Sequence, residues 1–155
     1  MPKIVEPQDT FGFLIHDVAR LLRKNFNRRV HSIGLTQEQC RAILQLSRCE
    51  GIQQVDLAEL LEIKPITLAR LLDKLQENGL IERRANPDDR RAFCLYLTRE
   101  AHAVVKKIRT IGGATRADAN KGVPAADLDK LYATLSLLKT NLMGVEEQLH
   151  SDLTK

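Results

Sequence analysis

The sequence predicts a mainly α-helical chain carrying one small β-hairpin, and three observations predict it. Apolar residues recur at steps of three and four through six separate segments, the spacing that puts them on one face of a helix. Residues that start or stop helices, Thr36, Pro65 and Thr98 against Gly34 and Gly79, fall between those segments. From Leu80 to Leu97 the period drops to two around a stretch rich in turn formers, which is the pattern of paired strands. Aromatic residues make up only 4% of the chain and Trp is absent, so the core must be aliphatic.

The first helix covers Phe11 to Val30, where Phe11, Leu14, Ile15, Val18, Leu21, Leu22 and Phe26 share a face and Arg23, Lys24, Arg28 and Arg29 form a basic patch before Gly34. A second helix starts near Gln37. Thr36 caps it, Gln39 returns the hydrogen bond, and Leu35 with Cys40 forms the hydrophobic staple. A third, short helix runs from about Val55 to Leu61 with Leu57, Leu60 and Leu61 inward. Pro65 opens the fourth at a position where its missing N–H costs nothing, and that helix continues to about Asn78. Its inward stripe is Leu68, Leu71, Leu72 and Leu75, while Thr67, Arg70 and Lys74 lie opposite.

Leu80–Arg84 and Ala92–Leu97 then read as the two strands of a hairpin, with Phe93, Leu95 and Leu97 on its buried side and a charged tip between. Thr98 caps a fifth helix containing Val104, Val105, Ile108 and Ile111, which Gly112-Gly113 can weaken or bend. The last helix, from about Ala125, repeats Leu128, Leu131, Leu135, Leu138, Leu142, Val145 and Leu149 at alternating steps of three and four. Such a seam packs against another long helix, and a chain of 155 residues offers few, so dimerisation through this helix and the first is expected.

Two helices joined by a short turn and followed by a charged hairpin are the parts of a winged helix-turn-helix. The expected architecture is that core at residues 35–97, flanked by an N-terminal dimerisation helix at 1–34 and C-terminal helices for linkage and dimerisation at 98–155. A recognition helix needs one greasy face to dock on its own domain and one short polar or cationic face for the major groove, where Arg and Lys can pair with guanine. Lys64, Pro65, Thr67, Arg70 and Lys74 supply that face. Arg90 and Arg91 on the hairpin tip, on a loop pinned by Asp89, suit an adjacent minor groove, and Arg83 and Arg84 on the hairpin with Arg28 and Arg29 at the end of the first helix are further DNA-binding candidates.

The ordered set Asp56-Leu57-Ala58-Glu59-Leu60-Leu61, Pro65 to Leu75, Gly79-Leu80-Ile81-Glu82-Arg83-Arg84, Asp88-Asp89-Arg90-Arg91-Ala92 and Leu97-Thr98 resembles the core of the MarR family, the multiple antibiotic resistance regulators. The Asp-Arg-Arg tip and the Leu-Thr after it are its most specific parts, and the flanking helices match in position and length. The resemblance implies a homodimer on a pseudo-palindromic operator, usually a repressor, that leaves DNA when an effector binds or a cysteine is oxidised. It implies that Arg91 enters the minor groove, that Asp89 holds it, and that Arg70 contacts bases or phosphates. Glu62 stands where members of that family commonly have Gly, which implies a strained turn before the recognition helix.

The formal charge is +4 and the pI near 9.1, yet residues 35–97 hold nine Lys plus Arg against ten Asp plus Glu. Binding to DNA therefore rests on where the cations stand. A solvated charged face is the competing reading for Arg70 and Lys74, and protection of a strand edge the competing one for Arg83 and Arg84. His16 and Arg20, one turn apart on the first helix, are candidates to line a cleft for a small aromatic or phenolic effector.

Cys40, Cys49 and Cys94 form no C-x-x-C pair, so a disulfide framework or zinc ribbon is not expected; inert packing is the favoured reading and redox sensing the alternative. No metal, no cofactor and no catalysis are expected, because the sequence has no His pair at ligand spacing, no nucleophile with a paired base and no Gly-rich phosphate loop. No stretch approaches the roughly 18 apolar residues that cross a bilayer, and the N-terminus lacks the apolar run of a secretory signal, so a cytoplasmic protein is expected. A winged-helix interaction module without DNA binding is the other alternative, and it has no need of the cations kept at both candidate contact faces.

Overall fold

The computed structural model describes residues 7–89 and 91–153, with side chains for 11–89 and 91–148. Its elements are α1 (Pro7–Val30), a 3₁₀ turn at His31–Ile33, α2 (Gln37–Leu46), α3 (Gln54–Leu61), α4 (Pro65–Glu77), β1 (Ile81–Ala85), β2 (Phe93–Leu97), α5 (Arg99–Ala119) and α6 (Ala125–Leu153). They divide into two compact units, one ending at Arg116 and one beginning at Ala117.

The first unit is built around a single aliphatic cluster. Val30 from the end of α1, Ile43 and Leu46 from α2, Leu57 and Leu61 from α3, Leu68, Leu72 and Leu75 from α4, Ile81 and Leu95 from the hairpin, and Val105 and Ile108 from α5 are all buried in it. Local chemistry sets the helix ends. The Thr36 hydroxyl accepts from the Gln39 N–H at 3.2 Å and the Gln39 side chain accepts from the Thr36 N–H at 2.8 Å, completing the expected capping box. Thr98 does two things at once: its hydroxyl donates to the Gly79 carbonyl at 2.6 Å and accepts from the Ala101 N–H at 3.3 Å, so it starts α5 and ties it to the end of α4.

Between α3 and α4 the chain turns through Glu62 in the left-handed region, at φ 54 and ψ 43, and no other non-glycine residue described has a positive φ. The Ile63 N–H reaches back to the Ala58 carbonyl at 3.1 Å, closing α3 as helices usually close with glycine at this point. The turn needs that conformation. It holds it with a residue for which it costs about 1–2 kcal/mol.

β1 and β2 pair antiparallel from Ile81 opposite Leu97 to Ala85 opposite Phe93. A third stretch joins the far edge of β2, where the Gly51 N–H donates to the Leu95 carbonyl at 2.8 Å and the Leu95 N–H to the Ile52 carbonyl at 2.9 Å. Gly51 suits the place because its φ is 84, and a β-carbon on it would also crowd the Tyr96 hydroxyl at 3.2 Å. The Glu50 carboxylate also accepts from the Leu97 N–H at 2.7 Å. The hairpin is thus held by the α2–α3 connection.

Two expectations are corrected, at Leu60 and at Phe93. Leu60 is 53% exposed; with successive residues about 100° apart on a helix, the buried arc of α3 spans Leu57, Leu61 and Ala58 and leaves Leu60 outside it. Phe93 is exposed as well, since it stands next to the hairpin tip, beyond the reach of the core. α5 runs continuously through Gly112-Gly113. The apolar face of α1 from Phe11 to Leu21 is largely open to solvent.

In the second unit, α6 presents Leu131, Leu135, Leu142 and Val145 to solvent, Leu142 at 68%. Among the described residues of this helix none is buried. The side chain of Leu149, the last member of the seam, lies outside the described residues.

Candidate nucleic-acid interface

Pro65 fixes the first turn of α4, and Lys64 precedes it as the N-cap residue with extended backbone. The Leu68, Leu72 and Leu75 stripe buries one side of the helix, which turns Lys64, Pro65, Thr67, Arg70 and Lys74 outward together. Arg70 makes no ion pair or side-chain hydrogen bond among the described residues and is free to bond elsewhere. Lys74 is 2.9 Å from Glu77, whose hydrogen bond and charge raise the ammonium above its ordinary value. Ile66 is 61% exposed on the first turn of the same helix. Sequence reasoning passed it over, although its place off the Leu68 stripe was the signal.

At the hairpin tip two short-range turns shape the backbone. The Asn86 side chain accepts from the Asp88 N–H at 2.9 Å, and the Asp89 carboxylate accepts from the Arg91 N–H at 2.9 Å while its carbonyl takes the Ala92 N–H at 3.0 Å. Asp89 therefore holds the Arg91 backbone, and the Arg91 side chain is exposed. Arg90 lies outside the described residues. Arg84 stacks its guanidinium over the Tyr96 ring at 4.1 Å and pairs with Glu82, yet stays more than half exposed.

Two of the cations named from sequence turn inward. Arg29 is half-buried, bonded to Asn25 and within 3.5 Å of the buried Thr115 hydroxyl on α5, whereas Arg28 is exposed. Arg83 is 19% exposed, and its guanidinium is spent on four protein acceptors.

Wholly within the first unit lies a cavity of about 450 Å³ between α1, α2 and α5. Phe26, Leu44 and Ile108 supply apolar wall; Arg23, Arg48, Arg109 and Arg116 supply charge, and no Asp or Glu lines it. None of these four arginines has an ion pair among the described residues. Gly112 also lines the cavity and leaves room for one of them, since a β-carbon there would sit 3.4 Å from Arg116 Nη1. His16 and Arg20 are exposed on α1 and do not line the cavity; Arg20 pairs with Asp17 at 3.1 Å.

Cys40 is buried, and burial together with the nearby Glu38 carboxylate pushes its thiol up to about 11, which disfavours the reactive thiolate. Cys49 and Cys94 are half-buried, and the Cys49 thiol donates to the Gln45 carbonyl. Among the described residues no group of three His, Cys, Asp or Glu could hold a metal ion, and no helix is long and apolar enough to cross a membrane.

A sequence model described as the MarR family matches residues 35–93. Among solved structures the chain is similar to the transcriptional regulator PA3341, at 32% identity over 86% of this chain and 98% of that one, with a TM-score of 0.75. It is similar to a mutant MarR from E. coli complexed with operator DNA, at 25% identity over 83% of this chain and 93% of that one, with a TM-score of 0.74. A MarR transcriptional regulator from Methanosarcina mazei Go1 shares the fold, with a TM-score of 0.81 at 20% identity over 88% of this chain and 99% of that one.

Proposed function

Since this chain belongs to the MarR family of transcriptional regulators, we propose that it binds operator DNA as a homodimer, represses transcription from the bound site, and is released by a small organic anion. The observation that carries DNA binding is the pairing of an unengaged Arg70 on the outward face of α4 with an exposed Arg91 on a tip that Asp89 shapes. In this reading α4 lies in the major groove, where Arg70 meets a guanine edge or a phosphate and Ile66 a thymine methyl. Arg91 reaches the flanking minor groove, while Lys64, Thr67, Arg84 and Arg28 meet phosphates. Lys74 joins them when Glu77 gives it up.

Homodimerisation follows from the apolar stripes left open on α1 and α6, which water disfavours and a second copy can cover. Two copies then present two recognition helices to the two halves of a pseudo-palindrome. A regulator of this kind works in the cytoplasm.

The cavity suits the effector. Guanidiniums without a competing carboxylate favour an anion, and an apolar wall beside them favours a ring, so a small aromatic acid is the ligand class. His16 and Arg20 join the site only where a second copy covers the face of α1 that carries them.

Selection of bound fragments from genomic DNA, repeated with salicylate and with peroxide, tests the reading. A recovered symmetric sequence whose binding falls with salicylate and ignores peroxide supports it. Recovery of no sequence at all removes DNA binding, and loss of binding with peroxide alone moves regulation to a cysteine.

A further inference from the structure

Arg83 sits where three elements meet. From β1 its guanidinium donates to Asp73 Oδ1 at 2.8 Å and Gln76 Oε1 at 2.7 Å on α4, to the Ala69 carbonyl of α4 at 3.5 Å, and to Gln54 Oε1 on α3 at 3.4 Å. A guanidinium has five N–H groups in a rigid planar fork, and four of them are used here. Asp73 and Gln76 belong to the helix that carries Arg70, and Arg83 to the strand that leads to Arg91.

We propose that Arg83 is a positioning residue, a brace that fixes the angle between the hairpin and α4 so that Arg70 and Arg91 engage one duplex together. The inference rests on the DNA-binding reading above and reassigns one of its cations. An arginine whose N–H groups are already committed to protein oxygens and which is four-fifths covered has little left for a phosphate. The same fork geometry explains why arginine stands here, because a lysine ammonium is a point charge that cannot span acceptors on two helices at once.

The two roles predict opposite signs at Asp73. This carboxylate is 58% exposed on the helix that faces DNA. Were it a bystander, Asp73→Asn would remove a negative charge beside the phosphates and tighten binding. As the partner of a brace, the same change loosens the hairpin and weakens it.

The test measures the affinity of wild type, Asp73→Asn and Arg83→Lys for the tightest duplex from the genomic selection, across a salt series, together with amide exchange of the free proteins. The expected result is weakening of about tenfold in each variant, the worth of a charged hydrogen bond, with an unchanged salt slope. Hairpin amides should exchange faster while those of α1 and α5 keep wild-type rates, a pattern that general destabilisation would not give. Binding by Asp73→Asn as tight as wild type or tighter, full affinity in Arg83→Lys, or a slope shallower by about one phosphate would overturn the brace alone. A wild type that binds no duplex overturns the DNA-binding reading, and the brace with it.

Discussion

At the scale of single residues, function and strain separate cleanly. Arg70 has no partner within the described residues, so Arg70→Ala should cost about 1–3 kcal/mol of operator affinity if it makes a two-pronged base contact. Retained sequence preference in that variant, measured by competition between selected and scrambled duplexes, would reduce it to a backbone contact. Glu62, held at φ 54, should do better as glycine: Glu62→Gly is expected to add about 1 kcal/mol and raise the melting temperature by about 3 °C. Cys40 gives a pH signature. Its folded thiol titrates at about 11 against 9.0 for the ordinary group, so the native state keeps its proton longer, and the stability it contributes is complete below pH 9 and lost as pH rises towards 11. Urea titrations from pH 8 to 11 should show that fall, and Cys40→Ala should flatten it. Much at this scale was legible in the sequence because it is local: the Thr36–Gln39 box, the Thr98 cap and the Asp89 tip each close within three residues. Arg83 was read as a surface cation because its acceptors Asp73, Gln76 and Gln54 lie on two other helices, and Arg29 because the Thr115 it reaches is 86 residues away, and periodicity carries no information about such pairs.

At the scale of elements, the hairpin and the long helices show what a pattern can and cannot tell. The buried face of the second strand followed from alternation, since Leu95 and Leu97 both face the core, but Phe93 continues the alternation past the point where anything covers it. The seam of α6 was legible as a repeat, and its partner is a second copy under the reading proposed here. Replacing Leu131 and Leu135 together by Asp should convert the dimer to a monomer in sedimentation and lower operator affinity to the non-specific level, about a thousandfold. A dimer that survives those changes would place the interface on α1. The arginine cavity was invisible to sequence, because its charges come from two helices and the turn after α2, and Gly112-Gly113 reads only as weak helix. Arg109→Ala should weaken the salicylate response of operator binding by about tenfold, the worth of one charged hydrogen bond, and leave affinity without salicylate near wild type.

At the scale of the whole molecule, residues 35–97 are not basic in bulk, and DNA binding must come from placement doubled by twofold symmetry. Affinity should then fall steeply with salt, by about 0.9 log units per log unit of salt for each phosphate neutralised. The central claim is that two copies hold two recognition helices at a fixed separation, and a hydroxyl-radical footprint on the selected duplex tests it most directly. The account predicts two symmetric protected patches with centres about 34 Å apart, one turn of the duplex, flanked by minor-groove protection that Arg91→Ala removes. A single protected patch, or protection that ignores the symmetry of the sequence, would contradict it.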